Sequence, residues 1–446
     1  MHPRHRATAI VAAMVAATSW GVSAAAAVPN KPADPQLGGT ALPRAVPAAG
    51  TFYPTAVTRL LGTPDAGYAV EPGTRTTVVA AGRVGLPSSG MSAVVVNVAA
   101  VAGAADAALS FGPAGAATAP PLLVAPTGTT RAVLLTLPLA ATGAIDVATT
   151  ASATVAVDLV GFYAADDTVL GSQGVSGGYQ PVDVTRVFDT DRTQPLGPGA
   201  RQVVAVDLGT SATPHTTALL VRATAKASQA PGALTVGAGN AVVSPMSSVP
   251  FVAGAPASNL AVVGASPGLD GRLDVAVTNT SGGPTGVALD LVGFYDDGAL
   301  GPNLRFRPLP QTRVVDTSTG LGTTALQPGR RATVTPSPSV VGDSTFGLVG
   351  VATATPAAGS AGLSVDSPDV TPSTDVEVAQ GATSVPVQSE VSASRGVGLQ
   401  ARPGGPETNV TVDVTGSFEA YPPVTNPAAR GWVAPVSGWQ VSASPR

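Results

Sequence analysis

The stretch Val157-Asp158-Leu159-Val160-Gly161-Phe162-Tyr163 decides the fold, because the chain writes it three times. It returns as Leu289-Asp290-Leu291-Val292-Gly293-Phe294-Tyr295 and, more loosely, as Val412-Asp413-Val414-Thr415-Gly416-Ser417-Phe418. Each copy closes a segment that opens in a shared way. Phe52, Tyr179 and Phe306 are followed by Pro54, Pro181 and Pro308, then by Thr58-Arg59, Thr185-Arg186 and Thr312-Arg313, at a constant interval of 127 residues. Pro72-Gly73, Pro198-Gly199 and Pro328-Gly329 come next, and strand-like runs at 94–100, 219–225 and 348–354 follow them. One order of landmarks repeated three times is an internal repeat, and each unit is long enough for a core of its own.

The units span residues 50–165, 177–297 and 304–421, with short linkers between them. Along 154–162 the sets Val155, Val157, Leu159 and Ala156, Asp158, Val160, Phe162 alternate, and both are largely apolar. This predicts a strand covered on both faces. Short period-two stretches cut by Gly, Pro, Asn, Asp and Ser predict an all-β chain of three tandem β-sandwich domains, with Greek-key or jelly-roll connections. The 52 Gly and 42 Pro of the 446 residues argue against helix. Ten of the fifteen Phe and Tyr lie at unit ends, which predicts an aromatic cluster joining first and last strands within each unit.

Residues 1–27 read as a secretory signal peptide: Arg4 and Arg6 precede the apolar run 7–22, and Ala25-Ala26-Ala27 offers the small-residue cleavage pattern. A Pro/Ala/Gly-rich leader (28–49) follows, and a tail of separate composition (422–446) closes the chain. No later stretch reads as a membrane span after signal cleavage. The net charge of −4 speaks against a generic grip on nucleic acid, and a chain with no Cys has no disulfide or thiolate site.

Only 11% of residues are charged, so a recurring charge needs a reason. Arg59, Arg186 and Arg313 sit in the first strand of each unit; Asp158, Asp290 and Asp413 sit among apolar neighbours in the last. A carboxylate there must be paired. The expectation is an Arg–Asp bridge tying the end strands of each domain, so that losing Arg186 would weaken the middle domain selectively. Asp189 and Asp316, three residues after their Arg, are alternative partners, but unit one has Gly62 there. An acid/base pair or a metal ligand is the sharper, less favoured reading of these residues.

Catalytic motifs are absent from the sequence. His2 and His5 belong to the signal peptide, and His215 stands in a Pro/Thr-rich loop, read as a solvated side chain. No nucleotide, nucleophile-elbow or zinc motif appears. We assign no catalytic residue, no metal site and no cofactor. Asp166-Asp167 and Asp296-Asp297 are read as solvated linker acids, with calcium between domains as the alternative. Trp432 and Trp439 either pack the tail onto domain three or grip a glycan or partner.

The units resemble a roughly 120-residue tandem repeat of secreted, cell-wall-associated actinobacterial proteins. That repeat opens with aromatic-x-Pro, continues to Arg-x-x-Asp-Thr and closes on Val-Asp-Val-Val-Gly-Tyr-Tyr. The matching residues are Arg186-Val187-Phe188-Asp189-Thr190, Arg313-Val314-Val315-Asp316-Thr317, Asn97-Val98-Ala99-Ala100 and the closings quoted above. Unit one lacks the Asp of the opening motif, and unit three closes with Gly-Ser-Phe. The resemblance implies an accessory envelope role and supplies no active site. The expectation is a secreted or cell-wall-associated, non-catalytic structural or adhesion protein. The alternative is a polysaccharide-binding protein using domain grooves or the tryptophan tail. Its partners would be envelope polysaccharide or surface proteins.

Overall fold

The two ends of each repeat pair as antiparallel neighbours. The computed structural model describes residues 48–63, 66–83, 85–169, 176–241, 246–369, 376–392, 394–423 and 439–446. The signal peptide, nearly all of the leader, and Trp432 lie outside the described residues.

In domain one, β1 (Phe52–Leu61), β2 (Tyr68–Val70), β3 (Arg75–Val79), β4 (Met91–Ala102) and β5 (Ala107–Pro113) precede β6 (Leu123–Ala125), β7 (Thr130–Pro138), β8 (Ala144–Thr149) and β9 (Ala153–Ala164). Domain two runs β10 (Tyr179–Asp189), β11 (Arg201–Asp207), β12 (Thr216–Ser228), β13 (Gly232–Ala238), β14 (Val249–Phe251), β15 (Ala257–Gly264), β16 (Leu273–Asn279) and β17 (Thr285–Asp296). Domain three runs β18 (Asn303–Asp316), β19 (Arg331–Val334), β20 (Thr345–Pro356), β21 (Ala361–Asp366), β22 (Val376–Val378), β23 (Thr383–Glu390), β24 (Val397–Ala401) and β25 (Thr408–Tyr421), and β26 (Ser442–Pro445) follows in the tail.

Domain one builds one sheet in the order β1-β9-β4-β7, to which β2 adds along β9, and a second in the order β3-β8-β5-β6. Domain two repeats this as β10-β17-β12-β15 and β11-β16-β13-β14, and domain three as β18-β25-β20-β23 and β19-β24-β21-β22, with β10 and β18 pairing at Tyr179 and Leu304 to join the first sheets of these two domains into one of eight strands. Two facing four-stranded sheets wound in this order are a jelly roll. The inner faces of the two sheets enclose a separate apolar core in each domain.

The opening motif carries a local distortion in all three copies. Pro54 pairs with Gly161 and Thr58 with Leu159, so residues 55–57 of β1 face the single residue Val160. The same break lies between Pro181 and Thr185 and between Pro308 and Thr312. Pro has no N–H to give the ladder and is tolerated where pairing stops. The bulge then returns Arg59, Arg186 and Arg313 directly opposite Asp158, Asp290 and Asp413.

The double-sided apolar pattern of the last strand has a second explanation beyond the domain core. The outer faces of the three β1-type sheets pack on one another in a fourth apolar cluster drawn from all three domains. Its centre is six rings. Phe52 of domain one lies 4.2 Å from Tyr295 of domain two, Tyr179 of domain two 4.6 Å from Phe418 of domain three, and Phe306 of domain three 4.2 Å from Tyr163 of domain one. Each first-strand ring thus rests on the last-strand ring of the next domain, and the third contact closes the cycle. The tandem sandwiches are therefore one compact unit and not separate beads. The aromatic contacts expected within each domain are present, Phe52–Tyr163 at 5.2 Å, Tyr179–Tyr295 at 5.4 Å and Phe306–Phe418 at 5.9 Å, and they extend into a cluster between domains because these first-strand rings point out of their own sandwiches.

The recurring glycine explains how the rings fit. A Cβ on Gly161, Gly293 or Gly416 would meet Phe52, Tyr179 or Phe306 at 2.2 Å. Burial raises the phenol pKa of Tyr163, Tyr179 and Tyr295 above its ordinary value. The Tyr163 and Tyr295 hydroxyls hydrogen-bond at 2.7 Å, and Tyr179 donates to the Val292 carbonyl at 3.0 Å.

A shared core couples the domains. Gly293→Ala should overpack the axis and cost about 1–3 kcal/mol. Calorimetry should show one unfolding transition, shifted as a whole. A variant trace in which one of several transitions moves would contradict the coupling.

Candidate functional site

The recurring charges come together pairwise. Arg59 Nε lies 2.5 Å from Asp158 Oδ1 and its Nη2 3.1 Å from Oδ2. Arg313 holds Asp413 in the same two-point way, at 3.1 and 2.9 Å, and Arg186 does so with Asp290. The three aspartates are buried, while each arginine keeps part of its side chain in solvent. Both oxygens of each carboxylate are engaged, the arrangement in which a charge-assisted pair is strongest.

The alternative partners are additional ones. Arg186 Nη1 also binds Asp189, at 2.5 Å, and Arg313 Nη1 binds Asp316, at 3.1 Å. Domain one, with Gly62 at that point, uses the Thr63 carbonyl as acceptor for Arg59 Nη1 at 2.5 Å. Burial opposes the charge on Arg186, but the bonds and charges of Asp290 and Asp189 outweigh it and raise its pKa. The hydrogen bond to Asp413 chiefly raises that of Arg313. A guanidinium held this way neither gives nor takes a proton near neutral pH. The pairs are fitted to fasten strands, and are poorly suited to acid/base chemistry.

Asp166 and Asp167 are exposed, in line with the solvated reading, and Asp296 departs from it. Asp296 is fully buried: Oδ1 accepts from the Gly178 and Gly298 amides, both at 2.9 Å, and Oδ2 from Gln180 Nε2 at 2.9 Å. Burial pushes its carboxyl pKa up against these bonds. Asp167 accepts from the Ala48 amide at 2.6 Å. A carboxylate ringed by N–H donors turns positive dipoles toward the place a calcium ion would occupy. Among the described residues no three acidic or histidine side chains converge as metal ligands. His215 is also not a free loop side chain, since its Nδ1 lies 2.9 Å from Asp297 Oδ2.

The tail docks on domain two, not on domain three. β26 pairs antiparallel with β11, matching Val204 with Pro445 and Asp207 with Ser442, and so adds a fifth strand to that sheet. Trp439 packs against the domain-two core, edge-on to Phe294 at 5.6 Å. It is therefore not an exposed platform for a sugar. Beyond β26, Arg446 Nε lies 2.9 Å from Asp274 Oδ1 and its Nη2 binds Asp270. Arg272 Nη1 reaches Ser444 Oγ at 2.9 Å, and Gln202 Nε2 reaches the Arg446 carbonyl at 3.0 Å.

Register explains the choice of domain. In domain one Phe162 stacks on Tyr53, its cross-strand neighbour, at 5.0 Å. In domain two the neighbour of Phe294 is Gln180, which brings no ring, and Trp439 supplies one. In domain three the pair is Arg307 and Ser417, and a polar set built on Glu419 covers the site. Sequence reading missed Gln180, Asp270, Asp274 and Arg446. Their roles depend on which strands are neighbours.

Comparison with known proteins assigns no family: no family model and no curated protein matches. Among solved structures, the chain is similar to one described as "The Triple Jelly Roll Fold and Turret Assembly in an Archaeal Virus", with 10% identity over 83% of this chain and 90% of that one and a TM-score of 0.16. A chain of Sulfolobus Turreted Icosahedral Virus is similar at 9% identity over 83% and 91%, with a TM-score of 0.14. Both likenesses are too low to carry an argument. Among the described residues no helix is long and apolar enough to cross a membrane.

Two outcomes follow. Arg186→Ala removes the two-point partner of buried Asp290 and should cost about 1.5–3 kcal/mol; through the shared axis it should lower the single melting transition, where the sequence alone predicted a selective effect on domain two. An unchanged melt would show the pair to be dispensable. The second concerns pH. Asp270 is lowered from 3.8 to about 2, chiefly by its bond to Arg272 with help from Arg446. A lowered carboxyl pKa stabilises the Asp270–Arg272–Arg446 cluster, of which the tail contact is one part, above 3.8, and that contribution is lost as pH falls through about 2. Tryptophan emission should shift over that window, before β-sheet ellipticity is lost, and Asp270→Asn should abolish the shift. An emission change that only accompanies global unfolding would refute the link.

Proposed function

We propose that this chain is an exported, non-catalytic structural or adhesion protein of the cell surface or cell wall, acting as one rigid block of three jelly rolls. The observation that carries the reading is where the recurring ionisable groups go. In every repeat the arginine and the buried aspartate hold each other at two points, and in every repeat the remaining arginine nitrogen is taken by a further acceptor. Side chains committed in this way serve geometry. The closed ring of aromatic contacts supports the same reading, since a block with three coupled domains transmits force without hinging at its linkers. The signal-peptide pattern and the repeat resemblance support placement outside the cytoplasm.

The test is cosedimentation of the purified full chain with isolated actinobacterial cell walls. The expected result is pelleting with the walls, unchanged in Trp439→Ala because that ring faces Phe294. A chain that stays in the supernatant overturns the wall assignment. Pelleting lost with Trp439→Ala would move binding to the tail and favour a polysaccharide-binding protein.

A further inference from the structure

The outer sheets of the three domains end in equivalent strands: β3, β11 and β19. Among the described residues, only β11 carries an added strand, and that strand is β26 of the chain's own tail. An uncovered edge presents a row of N–H and C=O groups ready to pair with another strand. The β11 edge has what a recognition site for an extended peptide requires: a backbone ladder for affinity and side-chain positions for specificity. The ladder runs from Asp207 opposite Ser442 to Val204 opposite Pro445, and the Arg446 amide continues it to the Val203 carbonyl at 2.9 Å. At one end Phe294 receives Trp439; at the other, Asp270 and Asp274 receive Arg446.

We propose that the β11 edge of domain two is a docking site for the C-terminal strand of a second copy of this chain, occupied in the isolated molecule by the chain's own tail. Three observations support it. The contacts made by residues 439–446 fall on domain two, although the strand that leads to the tail, β25, belongs to domain three. The docked segment is thus separated from its own domain, as in elements exchanged between identical chains. The recognition elements occur together at this edge alone: Tyr53 already covers Phe162 in domain one, and Ser417 replaces the ring in domain three. The fit is also incomplete, because among the described residues the buried Trp439 Nε1 has no acceptor. An unmet donor weakens the docked contact and so speeds the release of the tail that exchange requires. A tail on its own chain competes at a high effective concentration, so dilute chains close on themselves and crowded ones link.

Two full-length variants separate the halves of the contact. Trp439→Ala with Arg446→Ala disables the tail and leaves the edge vacant. Asp270→Asn with Asp274→Asn weakens the edge and leaves the tail free. Each alone should sediment as a monomer at micromolar concentration, and the equimolar mixture should form a one-to-one complex. A synthetic peptide of residues 436–446 should bind the tail-disabled variant, and bind the unaltered chain about tenfold more weakly because its own tail competes. Circular dichroism of each variant confirms that it is folded. Two folded variants that remain monomeric when mixed overturn the exchange between copies. A peptide that fails to bind the folded tail-disabled variant overturns the docking site itself. Neither result depends on cell-wall binding.

Discussion

The structure rests on a ring crossing a glycine. Phe52, Tyr179 and Phe306 each lie across the glycine of the facing last strand, where a side chain would stand 2.2 Å from the ring. The missing Cβ lets the ring sit close to its own sheet and leaves its other face for the ring of the next domain. Aromatic pairs at these separations are favourable beyond the area they bury. The contact is head-to-tail, from each first-strand ring to the following domain's last-strand ring. Such a contact yields an open chain unless the rotation closes. Here it closes after three units, and the chain has three. Short linkers hold the domains at high effective concentration and reduce the cost of assembling the ring.

Polar groups strengthen the same interface without setting it. Buried Asn259 donates to Asn97 Oδ1 of domain one at 3.1 Å and to the Ser248 carbonyl at 2.7 Å, and accepts the Leu134 amide at 2.9 Å. Ser384 of domain three accepts from the Val124 amide, and Ser258 of domain two accepts from the Glu377 amide. The two serine bonds occupy equivalent positions, but the interface of domains one and two has Pro250 and Ala132 there and uses the Asn259 set instead, while the ring contact recurs in all three. Where geometry recurs and chemistry varies, the recurring element sets the arrangement and the polar bonds satisfy groups that burial would leave unpaired.

Much of each domain is legible in the sequence because strand pairing is local to the repeat. The interval of 127 residues marks equivalent positions, and a buried charge in a nearly uncharged chain demands a partner. That reasoning reaches Arg59 and Asp158 without knowing the sheet order. The axis is harder to read. Alternating apolar sets in 154–162 say that both faces of the strand are covered, but parity alone cannot say whether the outer cover is a loop, a ligand or another domain. The fate of Asp296 is hidden for a similar reason. Adjacent acids beside Gly read as a wet turn, and only the fold brings Gly178, Gly298 and Gln180 around the carboxylate.

The tail shows how a nearly threefold body becomes directional. Three similar jelly rolls offer three similar edges, and β26 covers one of them. The choice is made inside the sandwich: Tyr53, Gln180 and Arg307 occupy the same register, and only Gln180 leaves a core phenylalanine without a ring beside it. This difference between repeats accompanies the docking of β26 and Trp439 on domain two. Asp270 and Asp274 then fix the direction of the strand by holding the terminal arginine. The axis needs the repeats to agree, because the ring closes only if each contact is alike. The edge needs them to differ, because one receptor in three gives the block a polarity that a symmetric body lacks.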